Sequence, residues 1–157
     1  MAKNILIPID FCVASLNTLR LVLEENKTEE IHATLVFAEY LNDSELDLLF
    51  YSSERIIAKH MTNEFKEALE VLKNRYTTLK EVDIKHLHGN NKAYAKNFLS
   101  ANKINEIHLP KTYKLKITNR GFNPEAMLRK TYIPVFEKEW EQYLNKSEQE
   151  HLIALFN

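Results

Sequence analysis

Asp10 is the first residue with an evident chemical use, because a carboxylate here directly follows the apolar run Ile5–Ile9. A near-continuous apolar run is typical of a strand that is covered on both faces of a sheet. Ligands of open α/β sheets bind beyond the carboxyl ends of the central strands, so Asp10 would stand at the mouth of that crevice. It could contact a ligand there or cap the following helix, and we favour the cap.

Four cations lie close together after the fourth predicted strand, in a stretch with no helical or strand period. They are Lys111, Lys114, Lys116 and Arg120. Lysine and arginine both bind phosphates, so this cluster could hold an anion. Exposed charge runs are more often solvated loops, and we favour that interpretation.

Histidine and cysteine offer two further kinds of site. His86 and His88 share one face of a predicted strand. Histidine is a common metal ligand, so these two residues and His108 could in principle form a metal site. No carboxylate or cysteine accompanies them at ligand spacing, so we predict no metal. Cys12 precedes a helix but has no evident base or resolving cysteine, so we interpret it as a small buried residue.

The short motifs of common enzyme classes are missing from the sequence. It contains no Gly-x-Ser-x-Gly elbow, no Gly-x-x-x-x-Gly-Lys phosphate loop and no His-Glu-x-x-His. We therefore predict no catalytic residue and no enzyme activity.

Composition predicts one globular domain. The chain has 157 residues, of which 45% are hydrophobic and 27% charged, and its net charge is -1. That charge gives no general attraction to nucleic acid or to a membrane. Because the amino terminus lacks a signal peptide's apolar region and no apolar run is as long as a membrane span, we expect a cytoplasmic protein.

Alternating strand and helix patterns must position the candidate residues. Strands are predicted at residues 3–10, 31–40, 82–88, 104–109 and 133–137, and shorter helices at 12–27, 92–102 and 123–131. This alternation predicts a Rossmann-like α/β domain, with a five-stranded parallel open sheet and helices on both faces.

Two further helical patterns are longer than these elements. The pattern from residue 44 to 77 would span about 51 Å as one helix, so we expect it to break, near Ser52 and Ser53, or to overhang the sheet. An amphipathic pattern from 139 to 156 predicts an extra C-terminal helix, which covers the core or crosses to a partner. We assign 1–138 to the α/β domain and 139–157 to this helix of the same domain.

Two segments resemble the universal stress protein family. Residues 3–15, KNILIPIDFCVAS, are similar to the family's first strand and turn, which ends in an aspartate followed by small polar residues. Residues 121–135, GFNPEAMLRKTYIPV, are similar to its last glycine, helix and Pro-Val segment. The resemblance implies the strand order 3-2-1-4-5, a contact of Asp10 with a nucleotide's adenosine part, and pairing of two copies through 133–137.

The family's ATP-binding signature is incomplete in this chain. It consists of a glycine, two residues, a second glycine, nine residues, and a third glycine followed by serine or threonine, and it holds the phosphates. Counting back from Gly121, the first two glycine positions are His108 and Lys111, and Phe122 replaces the hydroxyl residue. Because β-carbons obstruct close approach to phosphate and phenylalanine donates no hydrogen bond, we expect no ATP and no other cofactor.

These observations lead to two functional hypotheses. The first is a non-catalytic universal stress protein-like domain that acts in a stress response through an unknown protein partner and as a homodimer. The two copies would pair through Ile133–Glu137, and the helix 139–156 either adds to this contact or covers the core. The second is a sensor that binds a nucleotide or another phosphate-bearing anion. Its predicted site residues are Asp10, Lys111, Lys114, Arg120 and Gly121.

Overall fold

The computed structural model describes residues 2–41 and 52–140 of the chain. Within them, five strands pair in parallel in the order β3-β2-β1-β4-β5. The strands are β1 (Ala2–Pro8), β2 (Glu30–Ala38), β3 (Leu79–Leu87), β4 (Glu106–Pro110) and β5 (Val135–Lys138). The predicted Rossmann-like fold and the strand order are confirmed.

Helices cover both faces of this sheet. They are α1 (Asn17–Glu25), which follows a 3-10 helix at Val13–Leu16, α2 (Ser53–His60), α3 (Asn63–Arg75), α4 (Lys92–Ala101) and α5 (Glu125–Arg129). Ile5 and Ile7 of β1 belong to the core that includes residues of α1 and α3, whereas Leu6 belongs to the core that includes residues of α4 and α5. Successive strand residues point to opposite faces, so β1 is buried on both, as its apolar run predicts.

The long helical pattern of residues 44–77 breaks twice. α2 begins at Ser53, and Ser52 caps it by accepting a hydrogen bond from Arg55 N at 3.4 Å. The second break, at Met61 and Thr62, is not predicted from the sequence. Thr62 Oγ1 accepts a hydrogen bond from Phe65 N at 3.1 Å and so begins α3. The predicted helical residues 44–51 lie outside the described residues.

Two predictions for the end of the described chain were wrong. The fifth strand begins at Val135 rather than residue 133. Glu139 and Trp140 follow it as irregular chain, so the predicted helix does not begin at 139, and its residues from 141 onward lie outside the described part. Trp140 is nearly buried, and its Nε1 donates a hydrogen bond to Thr18 Oγ1 of α1 at 2.9 Å.

A helix needs about 20 predominantly apolar residues to span a bilayer. No helix of residues 2–41 and 52–140 is long and apolar enough for that.

Candidate functional site

Asp10 lies just beyond the carboxyl end of β1, and both of its carboxylate oxygens accept hydrogen bonds from the backbone. Oδ1 accepts from Cys12 N at 2.9 Å, and Oδ2 accepts from Lys116 N at 2.9 Å. The first bond forms a local turn, so Asp10 is not the helix cap that we favoured. The cap residues are Cys12 for the 3-10 helix and Leu16 for α1, and neither forms a side-chain cap bond. The second bond joins the β1 terminus to the loop of residues 111–120.

The loop 111–120 contacts the carboxyl ends of both β1 and β2. Besides the bond to Asp10, Thr118 Oγ1 donates to Glu39 Oε2 at 2.7 Å, and Tyr40 N donates to the carbonyl oxygen of Arg120 at 2.7 Å. Leu115, in the middle of the loop, is buried. The loop therefore lies across the crevice edge at which the fold would bind a ligand.

Glu39 is a buried carboxylate that our sequence reasoning did not select. Its Oε2 lies 3.2 Å from His60 Nε2 in addition to accepting the Thr118 bond. Its backbone carbonyl accepts from His86 Nε2 at 2.5 Å, and burial lowers the pKa of that imidazole. A carboxylate directly after an apolar strand is the signal that drew attention to Asp10, and Glu39 follows β2 in the same way.

Three of the four loop cations contact other parts of the chain. Lys111 Nζ lies 3.5 Å from Glu139 Oε2, and Lys114 Nζ lies 5.8 Å from the centre of the Trp140 ring. Lys116 meets Asp10 through its backbone amide rather than through its ammonium group. The structure therefore brings Asp10 and the loop together through the backbone.

The residues at the positions of the ATP signature have roles within the fold. His108 is buried in β4, and the amide of Lys111 donates to the carbonyl oxygen of Lys138 at 2.8 Å. Gly121 N donates to Thr118 O at 2.9 Å, and a β-carbon at Gly121 would lie 2.8 Å from Thr118 N. This glycine is thus required by a tight turn. Phe122 is buried, and its ring centre lies 4.4 Å from that of Tyr40.

The structure does not bring His108 together with His86 and His88. β2 and β1 separate β3 from β4, so His108 lies apart from His86 and His88. Across residues 2–41 and 52–140, no three His, Cys, Asp or Glu side chains are grouped as a metal site. Burial, followed by the nearby Asp10, raises the pKa of the Cys12 thiol, which is the opposite of thiolate activation.

Comparison with known proteins shows similarity at the level of structure. No family model and no curated sequence matches the chain. A solved protein described as hypothetical matches with 22% identity and a TM-score of 0.54, over 90% of this chain and 99% of its own.

Two universal stress proteins match over similar lengths. UspA from Lactobacillus plantarum has 13% identity and a TM-score of 0.53, over 86% of this chain and 96% of its own. A universal stress protein solved in complex with cAMP has 9% identity and a TM-score of 0.55, over 87% of this chain and 97% of its own. At such low identities the likeness concerns the fold. The chain therefore has the universal stress protein fold.

Proposed function

We propose that this chain is a non-catalytic domain that acts through protein contacts in a stress response and does not bind ATP in the Asp10 crevice. The observation that carries the proposal is the engagement of both Asp10 oxygens by the chain's own amides. A nucleotide that used Asp10 would have to displace the loop 111–120 from the carboxyl edge of the sheet.

Hydrogen-bond donors that could cradle phosphate are already used within the chain. The amide of Lys111 donates to Lys138, that of Lys116 to Asp10, and that of Gly121 to Thr118. A phosphate-binding loop needs several amides that point at the ligand and have no other acceptor. Freeing these three amides would break three internal hydrogen bonds before any phosphate contact could form.

Apolar packing adds to the cost of opening this edge. Leu115 and Phe122 are each 8% exposed. They adjoin Lys116 and Gly121, whose amides are hydrogen-bonded within the chain. Exposing a buried side chain of this size costs about 1.5–3 kcal/mol. The closed loop is therefore favoured by apolar burial as well as by the bonds to Asp10 and Glu39.

The rival proposal is a sensor for a nucleotide or another phosphate-bearing anion. Its support is the cAMP complex of one structural relative, together with the exposed side chains of Lys111, Lys114 and Arg120. In that role the loop would have to move, and the cations would then contact the phosphate directly.

Calorimetric titration with Mg-ATP and with cAMP separates the two proposals. We expect no saturable heat from the wild-type chain, whereas the relative solved with cAMP, titrated with cAMP, serves as the positive control. Tight, magnesium-dependent ATP binding would refute the closed crevice. Nucleotide binding that is lost in Lys111→Glu/Lys114→Glu and kept in Lys80→Glu would establish the anion sensor instead.

We also propose that two copies pair through β5. Among the described residues β5 pairs only with β4, so its outer edge offers unpaired backbone groups. Two exposed aromatic side chains belong to this part of the chain: Tyr132, three residues before β5, is 69% exposed, and Phe136 of β5 is 43% exposed. Apolar side chains beside an open strand edge suit an isologous contact between two copies.

Analytical ultracentrifugation of the full chain at high micromolar concentration tests this pairing. We expect a dimer that Tyr132→Lys dissociates, because the substitution places a charge in the contact. Ile117→Lys is the matched control, since Ile117 is 53% exposed but lies on the loop 111–120. A monomeric wild-type chain, or equal dissociation by both variants, would argue against pairing through β5.

A further inference from the structure

A cleft of about 430 Å³ lies at the outer edge of the sheet, between β3 and α4. Its lining includes Lys85, His88, Tyr94, Asn97 and Phe98. Small-molecule sites commonly measure about 300–1,000 Å³, so the volume suffices for a compact ligand. Because β2 separates β3 from β1, this cleft is distinct from the Asp10 crevice.

The turn after β3 fixes one wall of the cleft. A β-carbon on Gly89 would lie 2.5 Å from Tyr94 Cγ, so the absence of a side chain allows this ring to pack against the turn. Tyr94 Oη accepts a hydrogen bond from His88 N at 3.0 Å, which holds the ring in place. The Phe98 ring lies 6.2 Å from it with an interplanar angle of 27°, so the wall presents two roughly parallel aromatic rings.

The charge of the lining favours an anion. Among the described residues that line the cleft, Lys85 is the only lysine or arginine, and none is a carboxylate. No carboxylate of residues 2–41 and 52–140 lies within 4.0 Å of the Lys85 ammonium. Burial lowers the pKa of both His86 and His88, which disfavours the charged form of each imidazole.

Uncharged donors accompany this cation. Ser53 Oγ accepts from His86 N at 3.2 Å and keeps its own proton for donation. The Tyr94 hydroxyl likewise accepts from His88 N and keeps its proton. The side-chain amide of Asn97, an exposed residue on the rim, adds a third group that can donate.

We propose that this cleft binds a small organic anion, with its carboxylate or phosphate group on Lys85 and a planar body against Tyr94 and Phe98. The oxyanion would meet a cation that no described carboxylate neutralises, and the planar body would bury the aromatic wall. This site goes beyond the proposed function, which concerns the crevice at Asp10 and the edge of β5.

Titration of the isotopically labelled full chain with phenyl phosphate and with benzoate, followed by NMR, tests the site. We expect saturable shifts of the His88, Tyr94 and Phe98 amide signals with at least one probe. Phenol, which has the ring without the oxyanion, should bind about tenfold more weakly or worse, since a hydrogen bond to a charged group contributes about 1.5–3 kcal/mol.

Variants locate the interaction. Lys85→Gln should weaken probe binding about tenfold or more, because it removes the cation. Lys96→Gln is the matched control, since Lys96 is exposed on α4 and does not line the cleft. Asn97→Asp, a rim change that adds a negative charge, should also weaken binding and replaces Lys85→Gln should that variant not fold.

Two results would overturn the proposal: no saturable shift with either probe, or equal weakening by Lys85→Gln and Lys96→Gln. Shifts at Asp10 and Lys116 in place of the cleft signals would overturn it too and would also contradict the closed crevice. An empty cleft with no shifts at Asp10 would leave the proposed function intact, so the two failures are distinguishable.

Discussion

Replacing His108 with leucine is expected to remove much of the loss of stability that the wild-type fold suffers between pH 6.5 and pH 4. His108 is 3% exposed in β4, and neither of its ring nitrogens has a hydrogen-bond partner among the described residues. The nearest carboxylate oxygen, Glu106 Oε1, lies 3.8 Å from Nε2, beyond hydrogen-bond distance. The ring stacks on Phe136, with the centroids 5.2 Å apart.

The direction of the effect follows from the neutral state of this imidazole. Burial, with smaller contributions from the Lys138 and Lys3 ammonium groups, lowers the pKa of His108 from 6.5 to about 3. Below pH 6.5 the unfolded chain takes up a proton at this position and the folded chain does not, so acid favours unfolding. The loss grows as the pH falls and is complete below about pH 3, where both states are protonated.

Urea unfolding at several pH values between 7 and 4, followed by circular dichroism, measures the effect. The wild-type free energy of unfolding should fall by about 3 kcal/mol more than that of His108→Leu by pH 4, at about 1.4 kcal/mol per pKa unit. At pH 7 the variant should be at least as stable, because leucine removes two desolvated nitrogens without hydrogen bonds.

His32→Gln is the matched control, because His32 lies on β2 with 37% of its side chain exposed. It should follow the wild-type pH profile. If His108→Leu loses as much stability as the wild-type chain on acidification, His108 is not the group responsible.

The fold could be predicted from the sequence because its evidence is local. The buried run of β1 and the helical period of α4 each lie within one short segment, and both elements appear within two residues of their predicted ends. The break at Thr62 has only a short local signal, which is one capping hydroxyl. Because the apolar period continues through this position, we did not predict the break. Glu39 was missed because we assigned it to the strand that it follows.

The candidate site could be predicted only in part, because its decisive contacts join distant segments. Sequence reasoning placed Asp10 near the basic loop, and the structure does bring them together. The bond itself joins residues 106 positions apart and uses a backbone amide, which every non-proline residue has. The side chain at position 116 therefore gives no indication of this bond. Likewise, the internal roles of His108 and Phe122 depend on neighbours from distant segments, Phe136 and Tyr40.

Asp10→Ala distinguishes a structural carboxylate from a ligand-binding one. The substitution removes the acceptor of Cys12 N and of Lys116 N, two hydrogen bonds to a charged group. Such bonds contribute about 1.5–3 kcal/mol each, and partial replacement by water reduces the sum, so we expect the free energy of unfolding to fall by about 2–4 kcal/mol. A ligand-binding aspartate would instead leave the stability of the unliganded chain nearly unchanged.

Hydrogen exchange locates the change within the molecule. In Asp10→Ala the amide of Lys116 should lose protection, and so should that of Tyr40, whose acceptor is the carbonyl of Arg120 on the same loop. Asp83→Ala is the control, since Asp83 is exposed on β3 and its removal should change stability by no more than about 0.5 kcal/mol. Unchanged protection at both loop contacts would show that Leu115 and Thr118 hold the crevice closed without Asp10, and the closed state would then depend on apolar burial and Glu39.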